Sequence, residues 1–229
     1  MIHLVRELGS CLRTGRSGTI LERIHLTISG IMRQYSVRNF SCEMINAIMR
    51  MSRTRTNYWA EFAIDGALGV ALMAEGLSRR ELSQPATLYT VVLGFFVFSF
   101  LEYCCHRWLF HGSLPLLKQG HAAHHSKPDG YDSLPFFIPP VVLIALTAAF
   151  TACMPADFAY LLSGAMAFGY VTYGISHFSI HHRRFRNPVA RKWAAYHHIH
   201  HYHPDCNFGV TTPLWDVILG TSYIPKNRN

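Results

Sequence analysis

The stretch HRWLFHGSLPLLKQGHAAHH, residues 106–125, and its counterpart HFSIHHRRFRNPVARKWAAYHHIHH, residues 177–201, decide how the rest of this chain is read. Thirteen of the fifteen histidines lie between His106 and His203, in the clusters HRWLFH, HAAHH, HFSIHH and HHIHHYH. Neutral imidazole is the commonest side-chain metal ligand, and spacings of three and four residues bring its nitrogens to one face of a helix. His121, His124 and His125 stand at i, i+3 and i+4; His197, His200 and His201 repeat the pattern, and His177 and His181 stand four apart. His106 and His111 fit less well, because five residues turn an α-helix by about 140°. Gly112 follows His111, so the expectation is a helix that ends there and bends its second histidine inward. Lone histidines such as His3 and His25 are read as ordinary helix or surface residues.

Between the clusters the chain is apolar. No charged residue occurs in Leu82 to Leu101, Ser133 to Ala156 or Phe158 to Ser176, and each is long enough to cross a hydrocarbon core of about 30 Å. A weaker segment, Phe62 to Ala74, contains Asp65 and is flanked by Glu61 and Glu75; it reads as a span or as an interfacial helix. The expected fold is all-α and integral to a membrane. About four transmembrane helices carry a histidine-rich helical cap that holds two metals. With four spans, every cluster falls on the side of the N-terminus, and Arg53, Arg55, Arg107, Lys118, Lys127, Arg183, Arg184, Arg186, Arg191 and Lys192 mark that side as cytoplasmic. Arg79 and Arg80 run against this, since they fall in the first outer loop. Both termini are expected in the cytoplasm, at the inner membrane of a bacterium or the endoplasmic reticulum of a eukaryote.

A formal net charge of +8 does not mark a nucleic-acid binder, because the basic residues are not interleaved with an aromatic reading surface. Retention at a membrane face explains it, and an acidic electron-transfer partner could use the same surface. The six cysteines include no CxxC pair and form no disulfide framework; Cys104 and Cys105, just before His106, read as apolar residues at a span end or as a thiolate ligand. Residues 1–55 carry nine arginines, no lysine and three acidic residues, and are expected to be a basic, dispensable extension before a domain at 56–229. Met51 begins MSRTRTNYWAEF and reads as an alternative start.

Ten imidazoles exceed what one ion can hold, since zinc takes four ligands and iron at most six, so two metals follow. Iron at open sites and zinc at closed ones both remain compatible with the spacing. No carboxylate accompanies the clusters as the glutamate of HExxH does, which argues against a zinc hydrolase. A metal transporter or store would place its ligands near the membrane midplane rather than beyond the span ends.

HRWLFH, HAAHH, HFSIHH and HHIHH, followed by FGVTTPLWDVILGT at 208–221, resemble in their order the membrane fatty acid hydroxylase and sterol desaturase superfamily, over about Leu82 to Tyr223. Within it, HRWLFH with the later FGVT and WD most resembles the fatty acid 2-hydroxylases. The resemblance implies metal ligands at His106, His111, His121, His124, His125, His177, His181, His197, His200 and His201. His182, His198 and His203 are then extra, as supporting donors or surface residues. Glu102, one turn before His106, is a candidate to orient it, and Asp129, Asn207 and Asp216 are similar candidates whose alternative is a turn or cap. Two iron ions are implied as cofactors, with zinc able to occupy the sites on isolation, and the implied reaction is dioxygen-dependent hydroxylation of a lipid acyl chain. Desaturation or hydroxylation of a sterol or carotenoid is the alternative. No HPGG haem motif is present, so electrons are expected from a separate reductase with a ferredoxin or b-type cytochrome.

Overall fold

The computed structural model describes residues 43–79 and 82–225; the arginine-rich stretch before residue 43, and Arg80, lie outside the described residues. Residues 43–51 are helical. A second compact unit, Met51–Asn229, carries everything that follows. Its helices are α1 (Arg55–Arg79), α2 (Gln84–Cys104), a π-helical turn (Cys105–Phe110), α3 (Pro115–Ser126), α4 (Ile138–Cys153), α5 (Ala156–His182), α6 (Pro188–Tyr202) and α7 (Leu214–Ile218). No strand occurs among the described residues.

Helix α5 is the axis of the apolar part, and α1, α2 and α4 pack against it. Leu72, Leu143, Leu162, Met166 and Ala167 form the buried core between them. Helices without a water-driven reason to associate approach closely through small residues. Gly94 of α2 is one such contact, because a Cβ there would lie 2.8 Å from the Leu162 carbonyl.

Two helical stretches are long and apolar enough to cross a membrane, Gln84–Phe110 and Ala156–His182, each of 27 residues. At 1.5 Å per residue each runs about 40 Å, longer than an apolar layer of about 30 Å, and each carries histidines at its C-terminal end. The expected third span, Ser133 to Ala156, is helical only over the 16 residues Ile138–Cys153. Pro139 and Pro140 sit in the first turn of α4, where an absent N–H costs least. The two residues Met154 and Pro155 then reverse the chain into α5.

The weak first segment has a structural explanation. Asn57, Glu61 and Asp65 recur every four residues and form one buried polar stripe on α1. Glu61 accepts a hydrogen bond from the Tyr170 hydroxyl of α5. Asn57 donates to the Ser133 hydroxyl at 3.0 Å and the Leu134 carbonyl at 2.7 Å, and accepts from the Phe136 amide at 3.1 Å, which fixes the approach to α4. Arg79 pairs with Glu75 at 2.8 Å and lies over the Tyr160 ring.

Candidate metal centre

The C-terminal ends of α2 and α5 meet α3 and α6, and there the histidines converge. His106, His111, His121, His125 and His200 form one group, and His124, His177, His181, His197 and His201 a second; within each group the candidate ligand atoms lie within 4.8 Å of one another. All ten histidines expected to share a site are in one group or the other.

Helix geometry explains the partition. Residues at i and i+4 differ by about 40° around an α-helix, while i+3 lies about 60° to the other side. His121 and His125 of α3 therefore face the first group and His124 the second. Helix α6 does the reverse, giving His197 and His201 to the second group and His200 to the first. Each group thus takes a pair from one HxxHH motif, a single histidine from the other, and a further pair, His106 with His111 or His177 with His181. The groups abut, for the His125 and His201 rings stack at 4.3 Å.

The helix does end at His111, as expected, but its last turn rather than a bend after it absorbs the five-residue step from His106. Residues 105–110 form a π-helical turn, and the His111 amide donates to the His106 carbonyl at 3.2 Å. In a π turn, residues five apart share a face as residues four apart do in an α-helix. Gly112 permits this, because a Cβ there would overlap the Trp108 carbonyl.

Nitrogen lone pairs are pressed together. His121 Nε2 lies 3.0 Å from the Nε2 atoms of His106, His111 and His125, and His111 Nε2 lies 3.0 Å from His200 Nε2. In the second group His197 Nε2 is 3.1 Å from His181 Nε2 and from His201 Nε2. One N–H cannot serve three acceptors, so several lone pairs must face a common point. His124 Nε2 is buried with no hydrogen-bond partner. Such a donor set of converging, buried imidazoles fits divalent transition metals.

Burial, reinforced by neighbouring imidazoles, keeps these rings neutral. Burial and then His125 bring His111 down to about 4; burial and then His181 bring His124 to about 3. His200 falls to about 3, mainly by burial and partly offset by the Cys206 carbonyl, and burial with His124 takes His201 to about 2. His121 is lowered further by the same causes. Neutral imidazole is the ligating form. The stability of metal-free protein follows with a definite sign. Below the ordinary histidine value of about 6.5 the unfolded chain protonates these histidines and the folded chain does not, so their contribution to stability falls as pH falls. Thermal unfolding of metal-free protein should show a Tm that declines between about pH 6.5 and 5 as the contribution of these histidines is lost. A Tm constant over that window would contradict buried neutral histidines.

The expected supporting residues divide. The Glu102 carboxylate is engaged away from the His106 ring, accepting from the Val210 and Thr211 amides at 2.7 and 2.9 Å. Asp216 accepts from the Phe208 and Gly209 amides at 2.8 and 2.7 Å. Asn207, in the left-handed region at φ 57°, accepts from the Tyr223 amide and donates to the Tyr196 carbonyl. These three residues shape the 206–211 segment. Its carbonyls are the groups the sequence did not reveal, for His106 Nδ1 lies 2.5 Å from Phe208 O and His200 Nδ1 lies 2.7 Å from Cys206 O. The one available signal was the FGVTTPLWD string with its buried acid.

The extra histidines stand apart. His182 makes contacts through Nδ1 and Nε2 to the Phe178 and Asp129 carbonyls, so Asp129 contributes backbone and His182 anchors the loop before α4. His198 is exposed with its ring 5.5 Å from that of His181, and exposed His203 stacks on Tyr223 at 4.6 Å. Neither joins a group, nor does Cys104 or Cys105. Among the aromatic residues near the groups, Phe110 stacks on His121 and Tyr173 on His177, while Tyr131 packs on Tyr58 and Phe178.

Comparison with known proteins agrees with this architecture. Residues 91–221 match the model of the fatty acid hydroxylase family. The chain is 32% identical over 151 residues to the dihydroceramide fatty acyl 2-hydroxylase FAH1 of Arabidopsis thaliana, covering 61% of this chain and 62% of that protein. It is 31% identical over 182 residues to the ceramide very long chain fatty acid hydroxylase SCS7 of Saccharomyces cerevisiae, covering 73% of this chain and 46% of that protein. The chain therefore spans less than two thirds of the length of either relative. A solved structure of full-length Scs7p, in which only the hydroxylase domain is visible, superimposes with a TM-score of 0.67 at 28% identity, over 77% of this chain and 70% of that one. With its histidine boxes, helical order and family match in agreement, this chain belongs to the fatty acid hydroxylase family.

Proposed function

We propose that this protein is a dioxygen-dependent hydroxylase of a lipid acyl chain, with one iron ion in each group of five histidines. The observation that carries the reading is the convergence of ten largely buried imidazoles at the ends of two long apolar helices. Relatives named for dihydroceramide and very long chain fatty acid hydroxylation support an acyl chain of a fatty acid or sphingolipid as substrate.

Bound iron would supply the activation of dioxygen that attack on an unactivated C–H bond requires and that side-chain acids and bases cannot provide. The chain's own residues do the rest. His106 and His200 must carry their proton on Nδ1, because the carbonyls they face only accept, and this leaves each Nε2 lone pair turned into the first group. Phe110 and Tyr173 lay their rings on His121 and His177 and keep water from that side. Helices α2 and α5 carry the histidines at the ends of their apolar lengths, so a lipid tail lying alongside them would need to reach only just past the apolar layer to meet the site. In this reading α1 and α4 complete four spans, both termini are cytoplasmic, residues 1–50 are dispensable, and electrons come from a separate ferredoxin or b-type cytochrome.

Iron-loaded full-length protein, given a chemical reductant and isotopically labelled dioxygen, is expected to yield a hydroxylated acyl chain bearing the label. Label taken from water would sink the oxygenase reading. A new double bond without oxygen incorporation would move the protein to the desaturase side of its superfamily. Reporters fused after Pro155 and after Asn229 should fall on opposite sides of the membrane, and equal accessibility would overturn the four-span arrangement.

A further inference from the structure

We infer that the two histidine groups are inequivalent metal sites, and that Asp216, acting through the Phe208–Gly209 peptide bond, makes the first the tighter one. This rests on the two-ion reading above. A ligating histidine binds more strongly when its other nitrogen donates to a carboxylate or carbonyl, which fixes the ring and raises its basicity. In the first group two rings have that support, His106 from the Phe208 carbonyl and His200 from the Cys206 carbonyl. In the second group the Nδ1 atoms of His197 and His201 are buried with no partner.

The support for His106 is stronger than a plain carbonyl would give. The peptide unit that presents the Phe208 oxygen presents the Gly209 N–H at its other end, and that N–H donates to Asp216 Oδ2 at 2.7 Å. A carboxylate on the N–H side pushes electron density towards the carbonyl oxygen, so the two hydrogen bonds reinforce one another. Asp216 thus stands to His106 as the carboxylate of a carboxylate–histidine–metal triad does, with one peptide group between. Asp216 is fully buried and is itself held by a directed chain of donors. The Thr221 hydroxyl donates to Asp216 at 2.7 Å, which leaves its lone pairs to accept from the Tyr103 hydroxyl at 3.0 Å. Tyr103 in turn accepts from Arg107 at 2.7 Å, and Arg107 adjoins His106. Every amide from 207 to 211 is engaged, by the Thr221 carbonyl, by Asp216 or by Glu102, so the segment cannot rotate its carbonyls away.

Two nearby dications repel, so even identical sites would fill in two phases, and the test must isolate each site. Full-length protein stripped of metal would be titrated with cobalt(II), followed by visible absorption and by bound-metal count. Each single-site protein loses two ligands of one group: the His181→Ala protein also carries His177→Ala and keeps the first group complete, and the His111→Ala protein also carries His121→Ala and keeps the second complete. The His181→Ala protein is expected to bind its one cobalt at least about 10-fold more tightly than the His111→Ala protein, and adding Asp216→Asn to His181→Ala should remove about 10–100-fold in affinity. Asp216→Asn added to His111→Ala should leave binding within about twofold, which a merely structural role would not do. Should Asp216→Asn fail to fold, the comparison of the two single-site proteins decides alone. Equal affinities would overturn the inference while leaving the two-ion reading intact. Parent protein that binds one cobalt or none would overturn both.

Discussion

His124→Ala is expected to abolish turnover of a lipid acyl chain in protein that still inserts into membranes, whereas His203→Ala should stay within about twofold of the parent. His124 lies between two histidines that serve the other group, so no neighbour on α3 can replace it. Its ring centroid is 4.5 Å from that of His177 and 4.9 Å from those of His181 and His201. Truncation leaves four imidazoles around a gap, and the proposed second iron loses the one ligand that α3 gives to its group. His203 is the control because it is exposed and stacks on Tyr223, although it belongs to the same HHIHHYH string. Product formation per inserted protein is the measurement. Turnover surviving in His124→Ala would remove the second group from the chemistry.

Gly112→Ala should be nearly as damaging through backbone alone. A Cβ at this position overlaps the carbonyl of Trp108, which belongs to the π-helical turn and cannot move without opening it. Opening the turn rotates His111 away from His121 and His200, whose Nε2 atoms it now meets at 3.0 Å. Overpacking of this kind costs about 2–3 kcal/mol, and loss of the histidine pairing should remove activity as well. Gly66→Ala is the matched comparison, for its Cβ would meet only Val171 Cγ2 at 3.9 Å. Alanine there gains up to about 1 kcal/mol of helix propensity and should leave turnover intact. The checks are thermal unfolding and turnover on both variants. Parent-like behaviour of Gly112→Ala would mean that the π turn does not hold His111 in place.

Much of the site was legible because its spacing is a local property. The i, i+3, i+4 rows of α3 and α6 and the i, i+4 pair of α5 keep their phase whatever surrounds them, and the ten histidines could be named from that periodicity and the family resemblance. Hydropathy likewise announced α2 and α5. It overreached at Ser133 to Ala156, where the hydrogen bonds of Asn57 hold the first residues outside the helix, and it could not show that Glu61 and Asp65 of α1 are buried.

The sequence by itself determined which side chains meet at the centre and that helices carry them, since composition and helical phase are written residue by residue. Only the tertiary structure decided how those side chains divide. Which edge of α3 or α6 faces which group depends on how whole helices cross, and no local pattern encodes that. The phase of His106 and His111 needed a π turn, whose extra residue per turn is permitted by the space at Gly112 rather than announced by it. The partners of His106 and His200 were hidden for a more general reason. They are the carbonyls of Phe208 and Cys206, a group that every residue possesses, and only the fold of the 206–211 segment under Asn207, Asp216 and Glu102 turns those two towards the histidines.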